Sequence, residues 1–201
     1  MRKYRIGTLC ALLSVLAAGL LCLYLQRSQQ ALAEKLIRLH VVANSDTEAD
    51  QQQKLLVRDA VLSAAEKLMQ DAEDPKEALK AGLDDMARAA EKTLRASGCT
   101  DAVRVRLGKE VFPTRDYETF SLPAGVYTSL RVELGEGRGH NWWCVIFPSL
   151  CMTASMDDLR AAAVSAGFTQ GEVSLITEAG GGYVLRFKLL ELLQKMKNFL
   201  F

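Results

Sequence analysis

The sequence has no excess of either charge, no internal repeat and no low-complexity linker. Its 201 residues include 25 lysines and arginines and 24 aspartates and glutamates, which gives a formal net charge of +1. Proteins that bind nucleic acid normally carry a strong basic excess, so the composition argues against such a partner. Hydrophobic residues make up 49% of the chain, too large a share for a disordered protein. We therefore predict one folded domain with an appendage.

The charges are distributed unevenly along the chain. Residues 1–33 contain four basic side chains and no acidic one, whereas residues 34–201 contain the other 21 basic and all 24 acidic side chains. An uncharged run over residues 8–25 follows the basic cap at residues 1–5. Eighteen helical residues span roughly 27 Å, close to the roughly 30 Å of a bilayer's hydrocarbon core. The pattern predicts an export signal or a membrane anchor in residues 1–33.

The sequence leaves both forms of this segment open. An uncleaved anchor is favoured by length, because the apolar core of a signal peptide is usually about 7–15 residues. A cleaved signal is favoured by Ala31-Leu32-Ala33, which has the small-x-small form that signal peptidase needs. In both cases the basic cap stays cytoplasmic, so residues 34–201 are expected to form an exported domain.

Apolar periodicity predicts the first half of that domain. A β-branched strand over 36–43 is followed by a helix over 47–70, begun by a capping box of Ser45 and Glu48. A second helix starts at Asp74-Pro75 and closes at Gly98. Each helix has one apolar stripe, so the pair is expected to form a hairpin that lies on a sheet.

Strands dominate the next part of the sequence. Alternating apolar residues predict strands over 103–107 and 126–134. The continuous apolar run 142–147 predicts a central strand that pairs with 126–134. The glycine-rich segment between these two strands is expected to be a flexible hairpin loop. The remaining predictions are a helix over 156–166, a β-like segment over 173–177, a strand over 183–188 and a C-terminal amphipathic helix from 189. The fold class is therefore α+β with a mainly antiparallel sheet.

Motifs for catalysis or cofactor binding are weak. Gly135-x-Gly137-x-Gly139 runs into a strand, and no Gly-Lys-Ser/Thr follows it, so it does not fit a phosphate-binding loop. His140 and Cys144 could form the thiol–imidazole pair of an exported hydrolase acting on cell wall or peptide, but no third group is evident to orient the imidazole. Histidines and cysteines lack tight ligand-pair spacing. We predict no catalytic residue, no metal and no cofactor.

Cys144 and Cys151 bracket a proline-containing stretch in the exported part. An oxidising exterior permits a disulfide between them, which is one interpretation; two buried free thiols are the other. Trp142 and Trp143 point to opposite faces of their strand, so one is expected in the core and the other exposed, as a hot spot for protein binding. His40 lies between apolar neighbours and is expected to be a hydrogen-bonded residue of the sheet.

Several segments together resemble the stage II sporulation protein R family of endospore-forming bacteria. The similar segments are Leu36-Ile37-Arg38-Leu39-His40-Val41-Val42-Ala43-Asn44-Ser45-Asp46, Asp50-Gln51, Lys54-x-x-Val57-Arg58-Asp59-Ala60-Val61-Leu62, Phe112-Pro113-Thr114-Arg115, Leu122-Pro123-Ala124-Gly125-x-Tyr127, Gly135-Glu136-Gly137-x-Gly139-x-Asn141-Trp142-Trp143-Cys144-Val145-x-Phe147-Pro148-x-Leu150-Cys151 and Arg186-Phe187-Lys188-Leu189-Leu190-Glu191. They cover most of residues 34–151, whereas 152–182 matches less well.

The resemblance implies a signal rather than an enzyme. Members of that family are exported from the forespore into the space between forespore and mother cell. There they activate a membrane-embedded aspartic-type protease that processes the precursor of a mother-cell sigma factor. On this basis we expect Trp142 or Trp143, together with Asn141 and Arg58, to help bind the protease.

Overall fold

The computed structural model describes residues 2–117, 119–150 and 155–177. Its helices and strands, in chain order, are α1 Arg2–Lys35, β1 Ile37–Val42, α2 Glu48–Met69, α3 Pro75–Ala81, α4 Leu83–Ala96, β2 Val103–Phe112, β3 Arg115–Asp116, β4 Ser121–Leu122, β5 Gly125–Leu134, β6 Asn141–Phe147, α5 Met156–Ser165 and α6 Gln170–Thr177. The predicted strand over 183–188 and the C-terminal helix lie outside the described residues.

A four-stranded sheet organises the domain. Its strand order is β2-β5-β1-β6, and β1 runs parallel to β5 while the other neighbours are antiparallel. This confirms the α+β class with a mainly antiparallel sheet. A separate two-stranded ribbon pairs β3 with β4.

The first face of the sheet is apolar and is covered by α2 and α4, which confirms the predicted helical hairpin on a sheet. Successive strand residues point to opposite faces, so the odd-numbered residues of β1 and the even-numbered residues of β5 share this side. The buried members of this core are Ile37, Leu39, Val41, Val57, Val61, Leu62, Ala65, Leu79, Met86, Ala90, Leu94, Leu130, Val132, Leu134, Cys144 and Ile146.

The predicted neighbours β5 and β6 do not pair, which corrects the expected hairpin. β1 lies between them and pairs with both, so the connection 135–140 crosses over the end of β1. Sequence proximity suggested a hairpin because consecutive antiparallel strands usually pair. Here the earlier strand β1 occupies the central position instead.

The crossing loop 135–140 is packed closely on the segment after β1, so the expected flexible loop is also wrong. The amides of Arg138 and Gly139 donate to the carbonyls of Asn44 and Ala43 at 3.1 and 2.9 Å. A Cβ on Gly139 would lie 2.2 Å from the carbonyl oxygen of Ser45, so the absence of a side chain permits this approach. The glycines serve backbone packing rather than mobility.

Two helix boundaries differ from the sequence prediction. The N-cap of α2 is Thr47, whose hydroxyl accepts from the Asp50 amide at 3.3 Å; Ser45 instead donates to the Asp50 carboxylate at 2.5 Å. The predicted second helix is divided into α3 and α4 at Gly82, whose backbone leaves the helical region. A helix that follows Asp74 and Pro75 is confirmed, because the Asp74 carboxylate caps α3.

A second core lies on the other face and includes the end of α1. Its buried residues are Leu32, Ala33, Leu36, Phe112, Phe120, Leu122, Tyr127, Val145, Leu150, Leu159, Ala163, Phe168, Val173 and Ile176.

The predicted helix over 156–166 is confirmed as α5, whereas the β-like prediction for 173–177 is wrong, since these residues end α6. Their apolar residues pack at helical spacing against this core, which outweighs β propensity. α1 thus continues past residue 33 into the folded domain.

Candidate partner-binding surfaces on both sides of strand β6

A cluster of hydrogen-bonded polar side chains occupies the second face of the sheet. His40 on β1 lies at its centre: its Nδ1 is 2.8 Å from Glu110 Oε1, and its Nε2 is 2.8 Å from Asn141 Oδ1. Arg131 Nη1 donates to the same Glu110 oxygen at 2.5 Å, and Arg131 Nη2 pairs with Glu133 at 2.7 Å. The cluster therefore links four strands, and His40 is hydrogen-bonded in the sheet as predicted.

The charges of this cluster stabilise one another. Burial alone would raise the pKa of Glu110, but the neighbouring Ser129, His40 and Arg131 side chains outweigh it and hold that pKa below its ordinary value. The pKa of Glu133 is likewise lowered: Arg131, Arg106 and Arg104 together outweigh the effect of burial. Both glutamates are therefore ionised at neutral pH and act as hydrogen-bond acceptors.

Arg38 lies next to the cluster and is fully buried. Its guanidinium stacks on Phe112 at 4.0 Å from the ring centroid, and Nη2 donates to the Tyr117 hydroxyl at 2.9 Å. Within the described part of the chain, its Nε and Nη1 have no hydrogen-bond partner. A buried charge with unsatisfied donors costs free energy, so the contacts with Phe112 and Tyr117 act against a desolvation penalty.

The four candidate partner-binding residues divide between the two sides of β6. Asn141 and Trp143 face the polar cluster, where Trp143 is half-buried and Arg115 stacks on its ring at 3.7 Å. Trp142 faces the α2 side, is 37% exposed, and has the Arg58 guanidinium 4.4 Å from its ring centroid. The structure therefore brings together two pairs rather than one group of four.

The thiol and imidazole of the alternative hydrolase are separated in the structure. Cys144 is buried in the first core, whereas the exposed His140 ring lies 2.6 Å from the carboxylate of Asp46. His140 is thus oriented by Asp46 and not by Cys144. Cys151 lies outside the described residues, so its disulfide with Cys144 stays a prediction.

Sequence reasoning missed Glu110, Arg131 and Arg115 as members of these surfaces. Glu110 lies beyond the predicted strand 103–107, in the part of β2 that the sequence did not predict, and Arg131 alternates with apolar residues of β5 as a solvent-facing residue would. The signal that could have found them is the charge pattern: opposite charges on neighbouring strands of one face commonly pair.

No group of three or more histidine, cysteine, aspartate or glutamate residues is arranged to hold a metal within the described ranges.

These features define a class of protein, an α+β domain joined to an N-terminal helix of the kind that serves as a signal sequence or membrane anchor. By length and composition, α1 contains a segment, Leu12–Lys35, that could cross a membrane. The polar groups around His40 bond chiefly to one another.

Comparison with known proteins identifies the family. The model of the stage II sporulation protein R family matches residues 33–157, more than half of the chain, and the chain belongs to this family. The stage II sporulation protein R of Bacillus subtilis (strain 168) is 36% identical over 121 residues, which cover 59% of this chain and 54% of that protein. The chain thus matches about half the length of this curated relative. No solved structure matches it. Membership supports a role in sporulation.

Proposed function

We propose that this protein is an exported sporulation signal that activates a membrane-embedded aspartic-type protease, which then processes the precursor of a mother-cell sigma factor. The observation that carries the proposal is the family match over residues 33–157, together with an apolar helix that precedes the folded domain. In this role the domain acts in the space between forespore and mother cell. It binds its target and performs no covalent chemistry.

The surface formed by Trp142 and Arg58 is the proposed contact with the protease. An exposed tryptophan offers a large apolar area, and tryptophan and arginine are enriched among interface hot spots. Arg58 is held over the ring and also donates from Nε to Asp59 at 2.8 Å. Both side chains are therefore ordered before binding, which lowers the entropic cost of association. Asn141 and Trp143 contribute from the other side of β6.

The hydrolase alternative has less support. A nucleophilic thiol needs an adjacent base, and the nearest sequence candidate, His140, contacts Asp46 at the surface. The buried position of Cys144 instead suits the proposed disulfide with Cys151. The mass of the intact protein, with and without reductant and a thiol-alkylating reagent, tests that bridge: alkylation of both cysteines without reductant would contradict it.

We further propose that α1 is retained as a membrane anchor. Leu32 and Ala33, which would precede the signal-peptidase cut, are 1% and 4% exposed in the second core. Cleavage after Ala33 would remove both side chains from this core, so the packing of the folded domain supports retention. The mass of the N-terminal peptide from sporulating cells checks it, and a mature chain that begins at Glu34 would contradict retention.

Replacement of the Trp142–Arg58 pair tests the proposed function. In vesicles that contain the full-length protein, the protease and the sigma-factor precursor, we expect Trp142→Ala and Arg58→Ala each to lower the processing rate at least about tenfold, the loss of a hot-spot contact. The control is Arg88→Ala, which removes an arginine paired with Asp85 on the exposed side of α4. Normal processing by folded Trp142→Ala and Arg58→Ala variants would place the contact elsewhere. Failure of the wild-type protein to stimulate processing would reject the function itself.

A further inference from the structure

The folded domain is attached to α1 by several hydrogen bonds, of which the one from Lys35 to Glu172 lies at the end of the helix. Gln29 Nε2 donates to the carbonyl of Ala124, at the start of β5, at 2.5 Å. Further along the helix, Lys76 Nζ donates to the carbonyl of Glu34 at 2.7 Å. Leu32 and Ala33 are buried between these two positions. The last turns of the helix are therefore packed into the domain.

The first attachment lies close to the end of the apolar run. Gln29 follows Leu25 by one helical turn, about 6 Å, whereas Glu34 follows it by about 13 Å. The headgroup region of a bilayer is itself about 6 Å thick on each side. The start of β5 therefore lies nearer to the membrane than α3 does.

Two exposed valines lie at this corner of the sheet. Val111 near the end of β2 and Val126 near the start of β5 are register partners, and they are 77% and 54% exposed. Val126 is two residues from Ala124, the residue bonded to Gln29. Val111 and Val126 continue the apolar row of the first face beyond the part that α2 and α4 cover.

We propose that Val111 and Val126 form a lipid-contacting surface, which rests on the headgroup region of the bilayer that anchors α1. This inference rests on the retained anchor of the proposed function. The exposed Lys109 precedes Val111 by two residues on the same side of β2, and Arg27 lies two residues after Leu25. Basic side chains beside the headgroup region attract anionic lipids. Apolar groups flanked by basic ones are the chemistry by which proteins bind a membrane interface.

Contact with the bilayer would fix the orientation of the signalling surface. The crossing loop 135–140 and Asn141 lie at the opposite end of β1 and β5 from Val126. With Val111 and Val126 on the lipid, Trp142 is held away from the domain's own membrane. That direction suits a target embedded in the facing membrane.

Photo-crosslinking tests this surface. The full-length protein is reconstituted in vesicles of phosphatidylglycerol and phosphatidylethanolamine, with p-benzoylphenylalanine in place of Val111 or Val126. Leu16, within the apolar run, is the positive control position, and Arg138 in the crossing loop is the negative one. Lipid adducts are measured by mass spectrometry, and circular dichroism verifies that each variant is folded.

We expect lipid adducts from positions 111 and 126 at no less than about a fifth of the yield from position 16, and at least about tenfold above the yield from position 138. Adducts from position 16 without adducts from 111 and 126 would overturn the lipid surface while leaving the anchor intact. Crosslinks from 111 to a second copy of the chain would also overturn it. The absence of adducts from position 16 would reject the anchor, and the lipid surface with it.

Discussion

On the face covered by α2 and α4, the inward side chains of β1 are Ile37, Leu39 and Val41, whereas the opposite face of the same strand carries Arg38 and His40. All five are buried. The apolar face gains free energy from burial alone. The polar face must pair its charges with groups from other strands to avoid a loss. The difference teaches that the first face is stabilised by apolar contact alone, whereas the second combines an apolar core with pairing of charges between strands.

The comparison requires that β1 be central, and Gly139→Ala tests that requirement. A Cβ at this position would lie 2.2 Å from the Ser45 carbonyl oxygen and 2.6 Å from its carbon, and backbone cannot move aside cheaply. We expect the free energy of unfolding to fall by at least about 4 kcal/mol, measured by urea denaturation of the detergent-solubilised protein. Gly108→Ala is the matched control, since no atom lies within 4 Å of its added Cβ. Equal stability of the two variants would mean that the loop does not cross β1 as described.

Leu39→Ala measures the contribution of the apolar face. The side chain is fully buried between α2 and the sheet, so truncation leaves a cavity and costs about 3 kcal/mol. The control Val164→Ala, at an exposed position of α5, should change the free energy of unfolding by less than about 0.5 kcal/mol. A small effect of Leu39→Ala would contradict the assignment of stability to the first face.

How far the sequence predicts this architecture also differs between the two faces. The first face was predictable because Met86, Ala90 and Leu94 repeat at helical spacing and Leu130 and Val132 alternate, and both patterns are local. The second face was not, because His40 meets Glu110 and Asn141 across 70 and 101 residues of sequence. Their contact depends on β1 entering between β5 and β6, which no local pattern encodes. For the same reason the sequence grouped Arg58 with both tryptophans without assigning it to Trp142, and it did not identify Arg115 as the partner of Trp143.

Glu110→Gln tests whether pairing maintains the polar face. The change removes the negative charge that Arg131 and His40 share, and we expect a loss of about 2 kcal/mol at neutral pH. Its control is Glu136→Gln, which affects an exposed pair with Arg138 and should change stability by less than about 0.5 kcal/mol. If the two variants were equally stable, the cluster would contribute no more than surface charge does.

The pH dependence of stability follows from the same carboxylates. Because the folded protein lowers the pKa of Glu110 and Glu133, it binds fewer protons than the unfolded chain in mildly acidic solution. Their contribution is complete above the unfolded pKa of about 4.3 and is lost as pH falls through the folded values. We expect the midpoint of urea denaturation to decrease below about pH 4.3, and less steeply in Glu110→Gln. Parallel curves for the two proteins would exclude Glu110 as a source of this dependence.

Arg38→Met should have the smallest effect on stability and is the sharpest test of the second face. Methionine fills similar volume between Phe112 and Tyr127 and removes a buried charge of which two nitrogens have no described partner. Exchange of buried charge for apolar volume is often neutral or stabilising, so we expect a change within about 1 kcal/mol. The control Arg38→Ala leaves a cavity at the same position and should cost about 3 kcal/mol. If Arg38→Met is as unstable as Arg38→Ala, the guanidinium itself stabilises the fold. If it is stable but fails to support sigma-factor processing, Arg38 belongs to the function of this face.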